Sequence, residues 1–404
     1  QSQVFQLMKN NEHTLEFLTE LDDLFIANLL KIEDIDRIAQ LIQNASTNEQ
    51  SYILATLDDD QAKSVIGKLK FEEKEEIEEI MAYPEDSAGA LMATDVFTLY
   101  KNTTCRQALR TLQDHRDAEM VFYIYITDDD NSLVGIASLR ALATTHPETK
   151  LKEIMVKNVH KVRPETDQEE VAQLVAQYNY LAVPVVDSDD ILLGIVTVDD
   201  VVDVIREEAT EDFLQMAGAG KDREILLKSS WDSAKIRIPW LLASWTGGII
   251  ASLVIGNFEK MLENTIVLVS FIPIIIGMGG NIGTQSSTII VRGMATGRIT
   301  MGDEGATILK ELKTGLILGI LYGLMLGLFA GVRFLNTEPM IGVVVGLSIC
   351  SAMIIATGVG TLTPLVLRKL EIDPAIAAGP FVTTSIDILG VLLYFLIAGL
   401  LLQA

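Results

Sequence analysis

Hydrophobic and polar positions change pattern twice along the chain. The first part alternates short amphipathic helical segments with polar breaks. Leu15–Leu30, Asp34–Ile42, Asn48–Leu57 and Asp60–Leu69 are examples, and they predict a layer of short helices. A repeat follows. Met92-Ala-Thr-Asp-Val opens one unit and Met155-Val-Lys-Asn-Val opens the next, 63 residues on. Each unit continues with an extended piece and an amphipathic helix (Cys105–His115; Gln168–Tyr178). An apolar strand comes next (Val121–Ile126; Ala182–Val186), then an acidic turn (Asp128–Asn131; Asp187–Asp190). A second strand and helix begin at Leu133 and Leu193. Asp199–Ala217 is a long acid-rich amphipathic segment. The charges then almost vanish: Ile238–Phe258, Thr265–Val291, Thr314–Val332 and Pro339–Leu367 carry none, and Pro374–Ala404 carries only Asp387. About 20 helical residues cross a hydrocarbon layer of ~30 Å, so five membrane-spanning helices are predicted.

Charge sharpens the division. Residues 1–230 hold 45 of the 55 acids and 21 of the 31 bases, while residues 231–404 hold 10 of each. A uniform soluble globule is excluded. So is a nucleic-acid binder, which needs a basic excess to neutralise phosphates. Lys and Arg beside the apolar runs number nine on one side and two, Lys260 and Arg333, on the other. The positive-inside rule then puts the acidic half in the cytoplasm, and an odd helix count puts Ala404 outside. Cys105 and Cys350 form no disulfide framework. The opening residues are polar and amphipathic, and no signal peptide is expected there.

Asp387 leads the candidate chemistry. It lies deep in the last span, where a carboxylate costs roughly 2.5–3.5 kcal/mol on insertion scales and should face a polar cavity. It reads either as a cation site in a pore or as a structural partner of helix hydroxyls and amides. The second span carries Gly277-Met-Gly-Gly-Asn-Ile-Gly-Thr-Gln-Ser-Ser287, with neutral oxygens at Asn281, Thr284 and Thr288; this stretch also serves small-residue helix packing. Thr383, one turn before Asp387, joins the expected pore residues. All four histidines lie outside the spans, and zinc, copper and nickel prefer imidazole or thiolate. One carboxylate plus hydroxyls suits hydrated Mg²⁺, which sheds its waters reluctantly. Acid clusters that include Asp59, Glu169, Asp200, Asp203, Glu208, Glu211 and Asp212 read as solvated helix faces or as divalent-cation bridges. The doubled unit is similar to a CBS pair, in which a hydroxyl residue followed three residues later by an acid often holds a ribose; Thr197 and Asp200 match that pattern. With Tyr125 and Tyr180 they form the expected nucleotide site; a plain scaffold is the other reading. No HExxH or GxSxG motif points to an intramembrane enzyme, and none is expected.

The doubled β-α-β-β-α unit resembles a tandem CBS-domain pair. The whole chain resembles the MgtE family of bacterial magnesium channels. Tyr83-Pro-Glu-Asp-Ser-Ala-Gly-Ala-Leu-Met92, Thr166-Asp-Gln-Glu-Glu-Val171, Gly194-Ile-Val-Thr-Val-Asp-Asp-Val201, Glu208-Ala-Thr-Glu-Asp212, Gly279-Gly-Asn-Ile-Gly-Thr-Gln-Ser286, and Asp373-Pro with Asp387 carry the likeness. The resemblance implies a multidomain protein. A shortened N-terminal helical domain (1–85) precedes two α/β CBS domains (86–148, 149–205), a connecting plug helix (206–236) and a five-helix α-helical pore domain (237–404). It implies a homodimer in the bacterial cytoplasmic membrane that takes up Mg²⁺, is closed by Mg²⁺ bound to its cytosolic acids and is modulated by ATP. An ion-coupled divalent-cation exchanger on the same fold is the alternative. By the same resemblance Asp387 selects Mg²⁺ and Asp373 guards the cytoplasmic mouth. Glu208, Glu211 and Asp212 are plug ligands, and Glu169 and Asp200 ligate Mg²⁺ on the CBS side. The resemblance also leads one to expect an acid at Asn179 and asparagine at Gly379 and Thr284.

Overall fold

The computed structural model describes residues 11–402 except 20, 22, 44, 115–122, 221–224, 226–227, 300–301, 303 and 371. The chain divides into two compact units, Gln1–Glu207 and Glu208–Ala404.

Among the described residues the first unit opens with six short helices: α1 Asn11–Thr19, α2 Asp23–Leu30, α3 Ile35–Ile42, α4 Thr47–Ala55, α5 Asp59–Ile66 and α6 Phe71–Ile80. The segment read as one helix over Leu15–Leu30 is two. Leu21 N–H turns back to the Leu18 carbonyl (3.0 Å), an i−3 bond that ends α1. Polar residues before the later helices are caps. Asp34 and Asp58 accept hydrogen bonds from Asp36 N–H and Gln61 N–H, and Ser46 with Glu49 closes a capping box on α4. The apolar faces meet in one core around Leu18, Ile26, Leu30, Ile38, Ile42, Ile53 and Val65.

The repeat follows. In the first copy, α7 Ala88–Leu91 precedes β1 Thr98–Tyr100, α8 Cys105–Asp114, β2 Tyr123–Thr127, β3 Leu133–Ser138 and α9 Leu139–Thr144. In the second, α10 Leu151–Ile154 precedes α11 Gln168–Tyr178, β4 Ala182–Val186, β5 Leu192–Thr197 and α12 Val198–Met216. His115 and Val121, read into the first copy's helix and strand, lie outside the described residues. Strand β2 pairs parallel with β1 and antiparallel with β3, and β4 pairs antiparallel with β5. A reciprocal exchange joins the copies: Ala93 bridges to Ile195 on β5, and Val156 bridges to Ile136 on β3.

Two glycines make this exchange possible. A Cβ on Gly194 would lie 2.7 Å from the Ala93 carbonyl oxygen, and one on Gly135 would lie 2.8 Å from that of Val156. Backbone occupies both places, so a side chain must push the strands apart. Gly194→Val is expected to destabilise the first unit by about 1–3 kcal/mol. Thermal unfolding of the full chain would show a lower first transition, whereas an unchanged melt would mean that the bridge is slack.

The acidic turns are structural. Asp128 Oδ1 accepts from Asp130 N–H (3.1 Å) and Ser132 N–H (3.2 Å); Asp187 Oδ1 accepts from Asp189 N–H (2.9 Å) and Ile191 N–H (2.8 Å). Asn179 has φ 54° and ends α11 as a left-handed cap, a conformation that Asn tolerates better than most residues.

Among its described residues the second unit holds five helices long and apolar enough to cross a membrane. They are α13 Ser230–Gly256, the run Ile266–Ala295, α16 Glu304–Arg333, α17 Ile341–Lys369 and α18 Pro380–Leu402. A short helix, α14 Glu259–Asn264, precedes the second run. That run, expected as one helix from Thr265, starts as a 3-10 turn, Ile266–Phe271, and becomes α15 at Ile272–Ala295. Pro273 explains the joint, because its missing N–H is harmless only in a helix's first turn. Helix α17 is the most buried of the five, with α15, α16 and α18 around it. Tyr394 on α18 donates its hydroxyl to the Leu268 carbonyl (2.9 Å), and Phe258 stacks on Phe395 beside it. Helices α13 and α16 leave apolar faces exposed, as a bilayer-facing helix should.

Candidate ion pathway and regulatory sites

Helices α15 and α18 meet through small residues. Ile386 lies against Gly279 and Gly283, and Val382 lies beside Gly283. The next residue, Asp387, is half-buried and makes no hydrogen bond or ion pair with another described residue. One turn earlier, Thr383 is satisfied locally, its hydroxyl donating to the Pro380 carbonyl (3.2 Å). On α15, Asn281, Thr284 and Thr288 follow an i, i+3, i+7 spacing and share one face with Gln285. Asn281, Gln285 and Thr288 are exposed and Thr284 is half-buried. That face lies opposite Gly279 and Gly283, and no hydrogen bond joins it to Asp387. A membrane-spanning helix therefore shows a polar stripe outside its own chain.

The expected regulatory acids fall into separate places. Asp373 accepts Ala375 N–H at Oδ1 (2.8 Å), capping the turn Pro374–Ala378. Its Oδ2 accepts from Gln215 Nε2 (2.7 Å), which also donates to Glu211 Oε1 (3.0 Å). Gln215 is fully buried, and its Oε1 has no partner among the described residues. Its amide thus stands between two carboxylates where a cation could stand, and it ties α12 to the turn that enters α18. Nothing in a single glutamine marks it in the sequence; its i+4 spacing from Glu211 is the one usable signal. Glu208 and Asp212 are half-buried on the same helix. Asp203 is exposed and pairs with Arg206 (3.5 Å), and Glu169 accepts from Gln173 (3.3 Å). The Asp59 side chain lies outside the described residues. Among the described residues, no three His, Cys, Asp or Glu side chains gather as a metal ion would require.

At the end of β5, Asp200 Oδ2 accepts from both Thr197 Oγ1 (2.5 Å) and Thr197 N–H (3.2 Å). Burial raises its pKa above the ordinary carboxylate value, while the Thr197 bonds pull the other way. Tyr125 is buried with an unpartnered hydroxyl, and burial pushes its phenol well up. Tyr180 belongs to an aromatic group: its hydroxyl is 2.5 Å from His160 Nδ1, and its ring stacks on Tyr178 at 5.4 Å.

A buried acid went unnoticed in the sequence. Glu311 on α16, 7% exposed, accepts from Ser286 Oγ of α15 (3.0 Å). Between Lys310 and Lys313 it looks like one more charge in a polar flank.

Comparison with known proteins agrees with this architecture. The chain matches the MgtE intracellular N domain over residues 1–86, CBS domains over 88–145 and 151–207, and the MgtE divalent cation transporter domain over 272–397. The magnesium transporter MgtE of Enterococcus faecalis is 39% identical over 82% of this chain and 73% of its own length. That of Thermus thermophilus is 38% identical over 81% and 73%. A crystal structure of the cytosolic domain of the Mg²⁺ channel MgtE in complex with ATP shares 32% identity over 50% of this chain and 93% of its own, with TM-score 0.46. With an N domain, a CBS pair and five apolar helices in that order, the chain belongs to the MgtE family of divalent cation transporters, and it is a multi-pass membrane protein rather than an enzyme.

Proposed function

We propose that the chain conducts Mg²⁺ into the cytoplasm through a pore shared by two copies, with the acidic N-terminal part cytoplasmic and the C-terminus outside. The carrying observation is Asp387, an acid on a membrane-spanning helix that has no partner among the described residues. Leaving such a group in hydrocarbon is costly; holding a cation relieves the cost. The exposed stripe of Asn281, Thr284 and Thr288 supports the second copy, because symmetry turns it toward its mate across a polar path rather than toward lipid. An ion that keeps its first water shell suits this set, since hydroxyls and amides hydrogen-bond water and Asp387 supplies charge through it. The membrane potential contributes about 2.3 kcal/mol per charge per 100 mV, hence about 4.6 for a divalent ion. The domain division 1–85, 86–148, 149–205, 206–236 and 237–404 belongs to the same reading. Proteoliposomes tested for Mg²⁺ entry under an imposed potential check it: influx should grow with interior-negative voltage and need no counter-ion gradient. Influx that requires an opposing Na⁺ or proton gradient would favour the exchanger.

Regulation follows from the acids. At high cytosolic Mg²⁺, ions bridging Glu208, Glu211, Asp212 and Asp373 hold α12 in the closed position. Glu169, Asp200, Asp203 and Asp59 serve the first unit in the same way. Binding must favour the closed state differentially to shift it.

Thr197 and Asp200 also supply a ribose-binding pair, with Tyr125 and Tyr180 as aromatic neighbours, so an adenine nucleotide such as ATP modulates the pore. The pKa of Asp200 is raised in the fold, so its contribution to stability is present below the unfolded value and is lost as pH rises through the folded one. At neutral pH the charged carboxylate is a cost that a ligand offsets. ATP affinity by calorimetry should fall as pH drops through that window, and Asp200→Asn should lower affinity at pH 7 and flatten the dependence. Wild-type protein without ATP heat would leave the scaffold reading.

A further inference from the structure

Helix α15 has two working faces. One carries Asn281, Thr284 and Thr288; the other, on the far side, carries Ser286. Ser286 is 3% exposed and donates its hydroxyl to Glu311 Oε2 (3.0 Å). Glu311 occupies an i, i+4 ridge on α16 whose following members are Gly315, Gly319 and Gly323. The glycines let α16 lie directly on α17: Cβ atoms there would meet Thr357, the Cys350 backbone and the Gly346 carbonyl. Glu311 ends this ridge with a long side chain that reaches past α17 to α15. Between α16 and α15 the backbone contacts are otherwise sparse among the described residues.

We propose that Glu311 is a positioning residue for ion permeation: its buried carboxylate holds the Ser286 hydroxyl and so fixes the rotation of α15 that aims the Asn281, Thr284 and Thr288 face. The argument is one of geometry and cost. Gly279 and Gly283 let α15 approach α18 closely through apolar contact with Ile386, which fixes the spacing of the two helices but supplies no directional bond. A small turn of α15 would redirect every group on its polar face. A directional hydrogen bond to an acid, placed roughly opposite that face, resists the turn, and bonds to charged acceptors are the stronger kind. A buried acid is an expensive tie where an apolar pair would pack as well, which points to placement rather than stability as its use. The inference rests on the reading that this face lines the ion path.

A double-mutant cycle tests it in full-length protein reconstituted in liposomes. Mg²⁺ influx and the ratio of Mg²⁺ to Ca²⁺ influx are measured for Glu311→Ala, Ser286→Ala and the pair. Each single variant should lose about tenfold in influx or in the ratio, and the pair should be no worse than either. Glu311→Gln keeps an acceptor oxygen and should restore most of both. Additive losses, wild-type behaviour of Ser286→Ala, or a Gln variant as poor as Ala would overturn the proposal. If Glu311→Ala fails to fold, Ser286→Ala against Glu311→Gln decides alone. Asp387→Ala in the same liposomes separates the two ideas. If it conducts normally, the pore reading has failed; if it is inactive while the cycle shows no coupling, only Glu311 has been misread.

Discussion

Asp387→Ala is expected to abolish Mg²⁺ influx while the protein still folds and inserts. A divalent ion about 5 Å from a carboxylate, with one water layer between, gains roughly 7 kcal/mol at an effective dielectric of ~20, before desolvation is counted. Removing even a third of that is worth more than tenfold, and two copies lose it together. Folding should survive because no described residue depends on Asp387 for a hydrogen bond. Ile386, Val382 and Gly390, which make the contact with α15, stay in place. Ion uptake and thermal unfolding, measured on the same preparation, check both halves. Near-normal influx would remove Asp387 from the ion path, and loss of the folded protein would make it a structural residue.

The second large effect concerns closure. Neutralising Glu208, Glu211 and Asp212 to Gln or Asn together should leave conduction in place and remove inhibition by cytosolic Mg²⁺. Bridging ions between such acids convert repulsion into attraction, and loosely held carboxylate sites work near millimolar concentrations. Screening over ~8 Å at physiological salt restricts the effect to acids brought close together. The tie from Gln215 to Glu211 and Asp373 adds a measurable refinement. Its amide already holds α12 to the turn before α18 without a metal, so Gln215→Ala should raise the Mg²⁺ needed for closure by several-fold. Recordings with Mg²⁺ stepped on the cytoplasmic face decide the case: a triple variant closing at the wild-type concentration would leave these acids as a solvated helix face.

How far the sequence carries these ideas depends on the kind of interaction. The five spans were legible because hydrocarbon tolerates almost no charge, which makes a run such as Pro339–Leu367 unmistakable. The repeat was legible because both copies keep the same order of apolar strand and acidic turn. The break at Phe271 and Ile272 was hidden, since a charge-free run looks the same whether the backbone is α or 3-10, and only Pro273 hinted at a restart. The split of Leu15–Leu30 was hidden for a related reason, as amphipathic spacing persists across the short break between Thr19 and Asp23. A residue proposed to act by being alone, such as Asp387, stands out against its background. Those that act through one specific partner do not. Gln215 gains meaning only from Glu211 and Asp373, and Glu311 only from Ser286. The acid clusters are ambiguous in the opposite direction: Asp58 is spent on a helix cap, which composition cannot distinguish from a cation ligand, whereas Asp128 and Asp187 read as turn residues in the sequence and are turn residues in the fold.

The claim of a Mg²⁺-selective pore rather than an exchanger meets its most direct test in current recorded across a planar bilayer that contains the full chain, with Mg²⁺ as the main cation. Discrete unitary currents whose reversal potential moves by about 30 mV for each tenfold Mg²⁺ gradient, unaffected by a Na⁺ or proton gradient, are the predicted result. Uptake without unitary current, or a reversal potential that follows the other ion's gradient, would contradict it.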